Sequence, residues 1–163
     1  MSIAIDTNVF LRIAFEEPGW EFCGRLLDSV YTGEQEALIS AIQLSELYTP
    51  FERANDKEAK EKLSTEIKKS RIKIRAVDEE IALLSAHIRA TEKTPNGNWL
   101  ALADSIILAT ALSEEVVALY TLDVDFSRVK GRIKVSAPGM SIEDWEKKYG
   151  YHRLTKKRKS KSA

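Results

Sequence analysis

The sequence predicts an α/β fold in which helices cover both faces of a central, mostly parallel sheet. Short apolar segments alternate with longer segments of helical periodicity, an order typical of right-handed βαβ crossovers. The segment 99–112 supports this fold class, because only Asp104, Ser105 and Thr110 are polar after its first residue. A helix this apolar is buried nearly all round, as expected beside a covered sheet.

The chain begins with a predicted strand and two predicted helices. Residues 3–5 are apolar and form a short buried strand, and Asp6 or Thr7 caps the helix that follows. This helix ends before Pro18 and Gly19. A second helix places apolar residues between positions 22 and 30 on one face.

The next segment repeats the same order of a buried strand and two helices. Residues 37–39 form the second strand, and Ser40 caps a helix. Glu46 lies four residues after Ile42 and therefore shares the inward side of that helix. The charged segment 52–69 then predicts an exposed helix, supported by acid–base pairs four residues apart.

The rest of the chain contains three more predicted strands. Ile72 and Ile74 alternate with charged residues, which indicates a half-exposed strand that reaches Val77. Asp78 caps a helix that ends near Lys93, and the loop 94–98 leads into the helix 99–112. Two further strands follow at residues 116–120 and 133–135.

Length and composition predict one domain. The chain has 163 residues, of which 44% are hydrophobic, and we expect a single domain over residues 1–151. No apolar run reaches the roughly 18 residues of a membrane span, and we expect a cytoplasmic protein. Cys23 is the single cysteine and there are only 2 histidines, which excludes a Cys-based or His-rich metal site.

Four acidic residues occupy positions that folding alone does not explain. Asp6 ends one apolar segment and Glu46 lies within another. Asp104 interrupts the longest apolar stretch, and Asp123 follows the strand at 116–120. Asp6 and Asp123 thus lie beyond the carboxyl ends of strands, where ligands bind in open α/β sheets. A carboxylate removed from water is costly unless it is paired, hydrogen-bonded or bound to a metal.

Each of these acids also has a local explanation. Asp6 and Asp104 could be helix N-caps, Asp123 could begin a turn before Asp125, and Glu46 could point to solvent. Their convergence favours a shared cation site instead. A site with only oxygen ligands favours Mg²⁺ or Mn²⁺ over zinc. Enzymes that bind these cations in carboxylate pockets catalyse phosphoryl transfer.

Four ordered motifs resemble those of PIN-domain nucleases. Within that superfamily the chain is most similar to VapC-type toxin ribonucleases, over about residues 2 to 137. The resemblance implies a three-layer α/β/α PIN-like fold, dependence on Mg²⁺ or Mn²⁺, and endonucleolytic cleavage of RNA. The motifs are Ile5-Asp6-Thr7-Asn8, Ser45-Glu46-Leu47, the segment 103–111 around Asp104 and the segment 121–126 around Asp123.

The resemblance also implies roles for individual residues. Asp6 and Asp104 match direct metal ligands, whereas Glu46 and Asp123 would help to bind metal or orient the attacking water. Asp125 is acidic as well, so either Asp123 or Asp125 faces the metal, and the Thr-x-Asp spacing favours Asp123. The residues expected to hydrogen-bond these carboxylates are Thr7, Asn8 and Thr121, with Asp125 beside them.

Family resemblance further implies protein partners. VapC-type toxins are similar in being held inactive by a small antitoxin protein, and they commonly form homodimers. The segment 141–151 and the basic tail make this chain longer than a minimal toxin. Two alternatives therefore stay open, namely a PIN-like RNA-processing nuclease without an antitoxin and a non-catalytic module that binds a metal or a partner.

A net charge of zero conceals a basic tail on an acidic body. The last eleven residues contain six Lys/Arg and no acid, which leaves 19 basic and 25 acidic residues, a net charge of −6, over residues 1–152. We expect residues 152–163 to be disordered. The cations that could hold an RNA backbone are Lys156, Lys157, Arg158 and Lys159 in the tail and Lys68, Lys69, Arg71, Lys73 and Arg75 in the body, although solvated surface charge is the other explanation.

Overall fold

Five short strands form one sheet in the computed structural model, which describes residues 1–129 and 132–150. The strands are β1 (Ser2–Ile5), β2 (Glu36–Ser40), β3 (Lys73–Arg75), β4 (Ala118–Tyr120) and β5 (Lys134–Ser136). Their order is β3-β2-β1-β4-β5, and every pairing of neighbours is parallel. The prediction of a central, mostly parallel sheet is confirmed.

Helices connect the strands and cover both faces of the sheet. Side chains alternate between the faces, since Ile3 and Ile5 of β1 pack into one apolar cluster and Ala4 into the other. The helices are α1 (Thr7–Ala14), α2 (Trp20–Tyr31), α3 (Ala41–Arg53), α4 (Lys57–Lys69), α5 (Glu79–Thr91), α6 (Leu102–Ser113) and α7 (Ile142–Trp145). The α/β/α arrangement of three layers is therefore also confirmed.

Capping residues set the starts of several helices. The Asp6 carboxylate accepts a hydrogen bond from the Thr7 amide, and Asp78 accepts one from the Ile81 amide. Ser40 begins α3 with a capping box, in which its own amide donates to the Gln43 side chain at 2.9 Å. These caps satisfy backbone amides that have no partner within their helix.

The segment before α6 departs from the prediction. The helix expected from Trp99 begins only at Leu102, because residues 99–101 are extended. Lys93 and Trp99 instead form an antiparallel bridge that closes a small hairpin. Leu100, the second residue of the expected helix, is buried without being helical.

Two short helical segments follow the last two strands. A 3₁₀ turn spans Val124–Arg128 after β4, and a π-helical turn spans Glu146–Gly150 after α7. No helix within the described residues combines the length and the apolar composition needed to cross a bilayer. The expected disordered tail and its basic residues lie outside the described part of the chain.

Candidate acidic metal site

The acids singled out in the sequence lie at the carboxyl end of the sheet. Asp6 follows β1, and Asp123 lies between β4 and the 3₁₀ turn at 124–128. Asp104 is the third residue of α6, and Glu46 lies in the middle of α3. Two strand ends and two helices thus supply side chains to one place, which we call the acidic pocket.

Asp6 is buried and held at both carboxylate oxygens. Its Oδ1 accepts a hydrogen bond of 2.7 Å from the Thr7 amide, and its Oδ2 accepts one of 2.7 Å from the Thr121 hydroxyl. Only 5% of Asp6 is exposed. Each oxygen keeps a second lone pair, so these hydrogen bonds orient the carboxylate without preventing it from binding a cation.

Thr121 and Asn8 join the ends of β1 and β4. The Thr121 hydroxyl oxygen accepts hydrogen bonds from the Asp123 amide at 3.0 Å and from the Asn8 side-chain amide at 3.4 Å. The Asn8 carbonyl oxygen in turn accepts the Leu122 amide at 3.1 Å. This network fixes Asp6 and Asp123 relative to each other.

Two side-chain hydrogen bonds join α3 to the segment around Asp6. The Thr7 hydroxyl donates a 2.9 Å hydrogen bond to Oε1 of Glu46. Buried Gln43 donates from Nε2 to the Ile5 carbonyl at 2.7 Å, directly before Asp6. The sequence interpretation missed Gln43, although its place three residues after the Ser40 cap is the spacing of a capping box.

Three half-buried carboxylates come within reach of a single cation. Asp104, Asp123 and Asp125 each offer an oxygen atom, and these atoms lie within 4.8 Å of one another. The 3₁₀ turn brings Asp125 close, because its amide donates a 3.0 Å hydrogen bond to Oδ1 of Asp123. Asp123 and Asp125 therefore both belong to this group of carboxylates. The two residues are not alternatives for one position, as the sequence interpretation had treated them.

Burial and mutual repulsion raise the pKa of two carboxyl groups. The pKa of Asp104 rises to about 7, first because of burial and then because of the neighbouring charges of Asp6, Asp123, Glu46 and Asp125. The pKa of Asp6 rises to about 6 mainly because of burial, and its hydrogen bonds to Thr121 and Thr7 oppose this rise. Without a cation, the pocket disfavours its own ionised form.

The donor set fits a hard divalent cation. All the groups concerned are carboxylates, and Mg²⁺ binds through one or two carboxylates plus retained water. A positive charge among these acids would also relieve the repulsion that raises the pKa of Asp104. Asp104, Asp123 and Asp125 are thus candidate ligands, with Asp6 and Glu46 adding negative charge beside them.

The first part of the basic segment suggested for RNA, residues 68–71, lies at the other end of the sheet. Residues 68–71 end α4 and lead into β3, so they lie at its amino end, whereas the acidic pocket lies at the carboxyl end. Lys73 and Arg75 both form ion pairs of 2.6 Å with Glu114. This part of the candidate RNA-binding set is thus separated from the pocket, and two of its cations already have acidic partners.

Comparisons with known proteins agree with this fold. The model of the PIN domain family matches residues 3–132. A chain from a toxin-antitoxin complex of Klebsiella pneumoniae is 23% identical, with a TM-score of 0.62, covering 85% of this chain and 99% of that one. A search of curated proteins finds no significant match.

Two further solved structures share the fold. VapBC2 from Rickettsia felis, bound to a fragment of its promoter DNA, is 18% identical with a TM-score of 0.62, and DNA-bound VapBC from Salmonella typhimurium is 22% identical with a TM-score of 0.60. Each alignment covers 84% of this chain and 98% of the other chain.

Proposed function

This chain belongs to the PIN domain family, and we propose that it is a divalent-metal-dependent endoribonuclease that serves as the toxin of a toxin–antitoxin pair. The observation that carries the proposal is the acidic pocket, in which Asp104, Asp123 and Asp125 can share one cation. Phosphodiester hydrolysis is the reaction that carboxylate-bound Mg²⁺ or Mn²⁺ supports in such pockets.

The acidic residues of the pocket would have different roles in the reaction. Asp104, Asp123 and Asp125 would hold the cation, which when bound supplies positive charge to the phosphate and lowers the pKa of water. Asp6 is fixed by Thr7 and Thr121 and adds a buried negative charge beside them. Together these acids would hold the cation at the carboxyl end of the sheet.

Glu46 is positioned to act as a general base. Its hydrogen bond to the Thr7 hydroxyl fixes the carboxylate at the edge of the pocket. A carboxylate in this position can orient the attacking water and accept its proton. Attack of water on the phosphorus would release one end with a 5′-phosphate and the other with a 3′-hydroxyl.

An RNA cleavage assay tests the proposal directly. We expect Mg²⁺ or Mn²⁺ to support cleavage and EDTA to abolish it, with Asp6→Asn and Asp104→Asn each lowering the rate by about 100-fold or more. Asp28→Asn, at an exposed position on α2, is the matched control and should cleave like the wild type. Cleavage that survives EDTA and both pocket substitutions would overturn the proposal.

An antitoxin partner is supported by an apolar groove as well as by the structural neighbours. A groove of about 550 Å³ lies between α1, α2, α3 and α4, apart from the acidic pocket. An amphipathic helix of a small protein could place its apolar face there. Its apolar lining comes mainly from Phe10, Ile13, Leu27, Phe51, Leu63 and Ile67.

Co-expression with the product of a neighbouring small reading frame tests this partner. We expect the two proteins to purify together and the complex to lose cleavage activity. Leu63→Asp, which puts a charge into the groove, should release the partner while cleavage by the free protein persists. Inhibition that is unaffected by Leu63→Asp would place the contact elsewhere.

The basic tail is a second candidate contact for RNA. Residues 152–163 contain six Lys/Arg, and each contact with a single-stranded phosphate makes log K fall by roughly 0.7 per decade of salt. Removal of residues 152–163 should therefore weaken RNA binding and reduce its dependence on salt. An unchanged salt dependence would mean that the tail does not touch the RNA.

A further inference from the structure

The 3₁₀ turn Val124–Arg128 carries one of the clustered acids on a short element. Asp125 on this turn lies close enough to Asp104 and Asp123 for the three carboxylates to share one cation. Before a cation binds, the ionised carboxylates repel one another, which pushes the turn away from Asp104. A 3₁₀ turn also has poorer hydrogen-bond geometry than an α-helix. The position of Asp125 therefore depends on what holds the turn from outside.

The helix α7 packs against this turn. Its residues Ile142–Trp145 lie against Val124–Arg128. Ile142 is 2% exposed and Trp145 is 1% exposed, so both ends of this short helix are buried. Phe126, the residue after Asp125, is also buried in the core. The turn is thus anchored in the core through Phe126 and is contacted by α7 as well.

Trp145 fixes α7 to the first two helices. Its ring meets the Phe22 ring of α2 edge-on, with 6.4 Å between the centres, and lies 4.5 Å from the Tyr149 ring. The guanidinium group of Arg12 on α1 lies 5.7 Å from the centre of the Trp145 ring, a cation–π contact, and donates to the Pro18 carbonyl at 3.3 Å. Because of these contacts, α7 cannot follow the turn if repulsion displaces it.

The loop between β5 and α7 also ties this helix to the end of the sheet that carries the pocket. The Ser136 carbonyl accepts the Thr121 amide at 3.0 Å, and the Ser136 hydroxyl donates to the Met140 carbonyl at 3.0 Å. Ser141 follows and caps α7, since its hydroxyl accepts the Asp144 amide at 3.1 Å. A series of short contacts thus leads from Thr121, which hydrogen-bonds Asp6, to the start of α7.

We propose that α7 positions the metal site, because its packing against the 3₁₀ turn holds Asp125 within reach of the cation that Asp104 and Asp123 also bind. Trp145 is the positioning residue, since its contacts fix α7 on α1 and α2. This inference rests on the proposed metal-dependent function. It adds an element that lies outside residues 3–132, the part of the chain that the PIN family model matches.

The affinity of the full-length protein for Mn²⁺, measured by isothermal titration calorimetry without RNA, tests this role. Trp145→Phe keeps a ring but loses part of its contacts, and it should weaken Mn²⁺ binding by about 3- to 10-fold. Ser141→Ala removes the cap of α7 at an exposed position and should weaken binding by about 2- to 5-fold. Circular dichroism checks that each variant is folded. If Trp145→Phe does not fold, Ser141→Ala decides the question.

Val30→Ala is the control for a general loss of stability. Val30 is 6% exposed and belongs to the same apolar cluster as Trp145. It lines a cavity with Ser2 and Glu36, the first residues of β1 and β2, and so lies at the amino end of the sheet. A destabilised variant that is still about 99% folded keeps the Kd of the wild type. Val30→Ala should therefore bind Mn²⁺ like the wild type.

A double-mutant cycle tests whether α7 acts through Asp125. Asp125→Asn alone should weaken Mn²⁺ binding by about 10-fold or more. If α7 acts by holding Asp125 in place, Trp145→Phe and Ser141→Ala should cause little further loss in the Asp125→Asn background. Losses of equal size in both backgrounds would show that α7 does not act through Asp125 and would overturn the proposal.

The outcomes separate this inference from the proposed function. Unchanged Mn²⁺ affinity in the folded Trp145→Phe and Ser141→Ala variants overturns the role of α7, even if the protein cleaves RNA. A loss of affinity that disappears in the Asp125→Asn background supports this role, even if no RNA is cleaved. A wild-type protein that binds no Mn²⁺ overturns both this inference and the metal dependence of the proposed function.

Discussion

At the scale of single residues, Thr121 connects more of the acidic pocket than any one carboxylate does. Its hydroxyl donates to Asp6 and accepts from the Asp123 amide and from Asn8. The side chain is fully buried, so none of these bonds is replaced by water if the hydroxyl is removed. A change at this position should therefore disturb two acids at once.

We expect Thr121→Val to lower cleavage by about 10- to 100-fold while the protein still folds. Valine has the same shape but no hydroxyl, so Asp6 loses its orienting donor. Thr110→Val is the matched control, since the buried Thr110 hydroxyl only donates to the Ile106 carbonyl of its own helix. Equal activities of the two variants, measured as initial cleavage rates in Mg²⁺, would contradict this role of Thr121.

The raised pKa of Asp104 predicts how stability depends on pH in the absence of metal. The pKa is about 7 in the folded protein, against an ordinary value of 3.8. Between these pH values the folded carboxyl keeps its proton while the unfolded chain releases it, so stability falls as pH rises from about 4 to about 7. The free energy of unfolding should then stay low at higher pH.

Asp104→Asn removes this cost and should stabilise the metal-free protein. At pH 8 in EDTA we expect the variant to be more stable than the wild type by about 1–3 kcal/mol, a range reduced for partial exposure of the side chain. Urea unfolding at pH 8 and pH 4 measures the difference, which should nearly vanish at pH 4. A variant less stable than the wild type at pH 8 would contradict the conclusion that the ionised Asp104 carboxylate destabilises the metal-free protein.

Sequence patterns were sufficient to single out acids that lie around the pocket. Asp6 and Asp123 were recognisable because each follows an apolar strand, and Asp104 because it interrupts an apolar helix. The participation of Asp125 was not decidable, since it depends on the 3₁₀ turn that folds it back onto Asp123. A turn of this kind leaves no periodic pattern in a sequence.

At the scale of secondary-structure elements, α7 is attached to the rest of the domain through two buried side chains, of which Trp145 is the larger and Ile142 the smaller. Trp145 is 1% exposed and lies in the core cluster that covers the α1 and α2 face of the sheet. Its ring contacts Phe22 and Tyr149. A Cβ added at Gly19 would come within 2.6 Å of the Trp145 ring, so the helices approach closely here.

Trp145→Ala should destabilise the protein by about 3–5 kcal/mol, because it leaves a large cavity between α2 and α7. Trp20→Ala, at a residue 37% exposed, should cost much less. Equilibrium urea unfolding followed by circular dichroism measures both values without depending on tryptophan fluorescence. Similar costs for the two variants would show that α7 contributes little to the core.

The start of α6 shows where sequence patterns fail at this scale. Residues 99–103 are all apolar and contain no helix-breaking residue, so the pattern alone placed the helix start three residues early. Tertiary contacts decide the outcome, because the bridge to Lys93 and the burial of Leu100 keep this segment extended. The starts of α3 and α5 were predicted correctly, since Ser40 and Asp78 mark them by capping.

At the scale of the whole molecule, metal binding should be visible as thermal stability. A cation that binds only the folded protein stabilises it by about 2.7 kcal/mol at a concentration 100 times its Kd. For a domain of this size we expect a rise in Tm of roughly 5–10 °C at pH 8. At pH 5 the rise should be smaller, because protons compete for carboxyl groups whose pKa values are about 6 and 7.

Differential scanning fluorimetry with increasing Mg²⁺ or Mn²⁺ measures this effect. The Asp104→Asn variant should lose most of the rise, and Asp28→Asn should retain it. A rise of equal size in the wild type and in Asp104→Asn would mean that the cation binds elsewhere. This test requires no knowledge of the RNA substrate.

The central place of β1 in the sheet also determines when the acidic pocket can form during protein synthesis. Synthesis proceeds from the N-terminus, so Asp6 is made among the first residues, whereas its partner Thr121 follows 115 positions later. Until β4 exists, β1 lacks its neighbour on that side and the pocket has only part of its acids. A polypeptide released before Asp123 therefore lacks two of the three clustered acids, and we expect such a fragment to cleave no RNA.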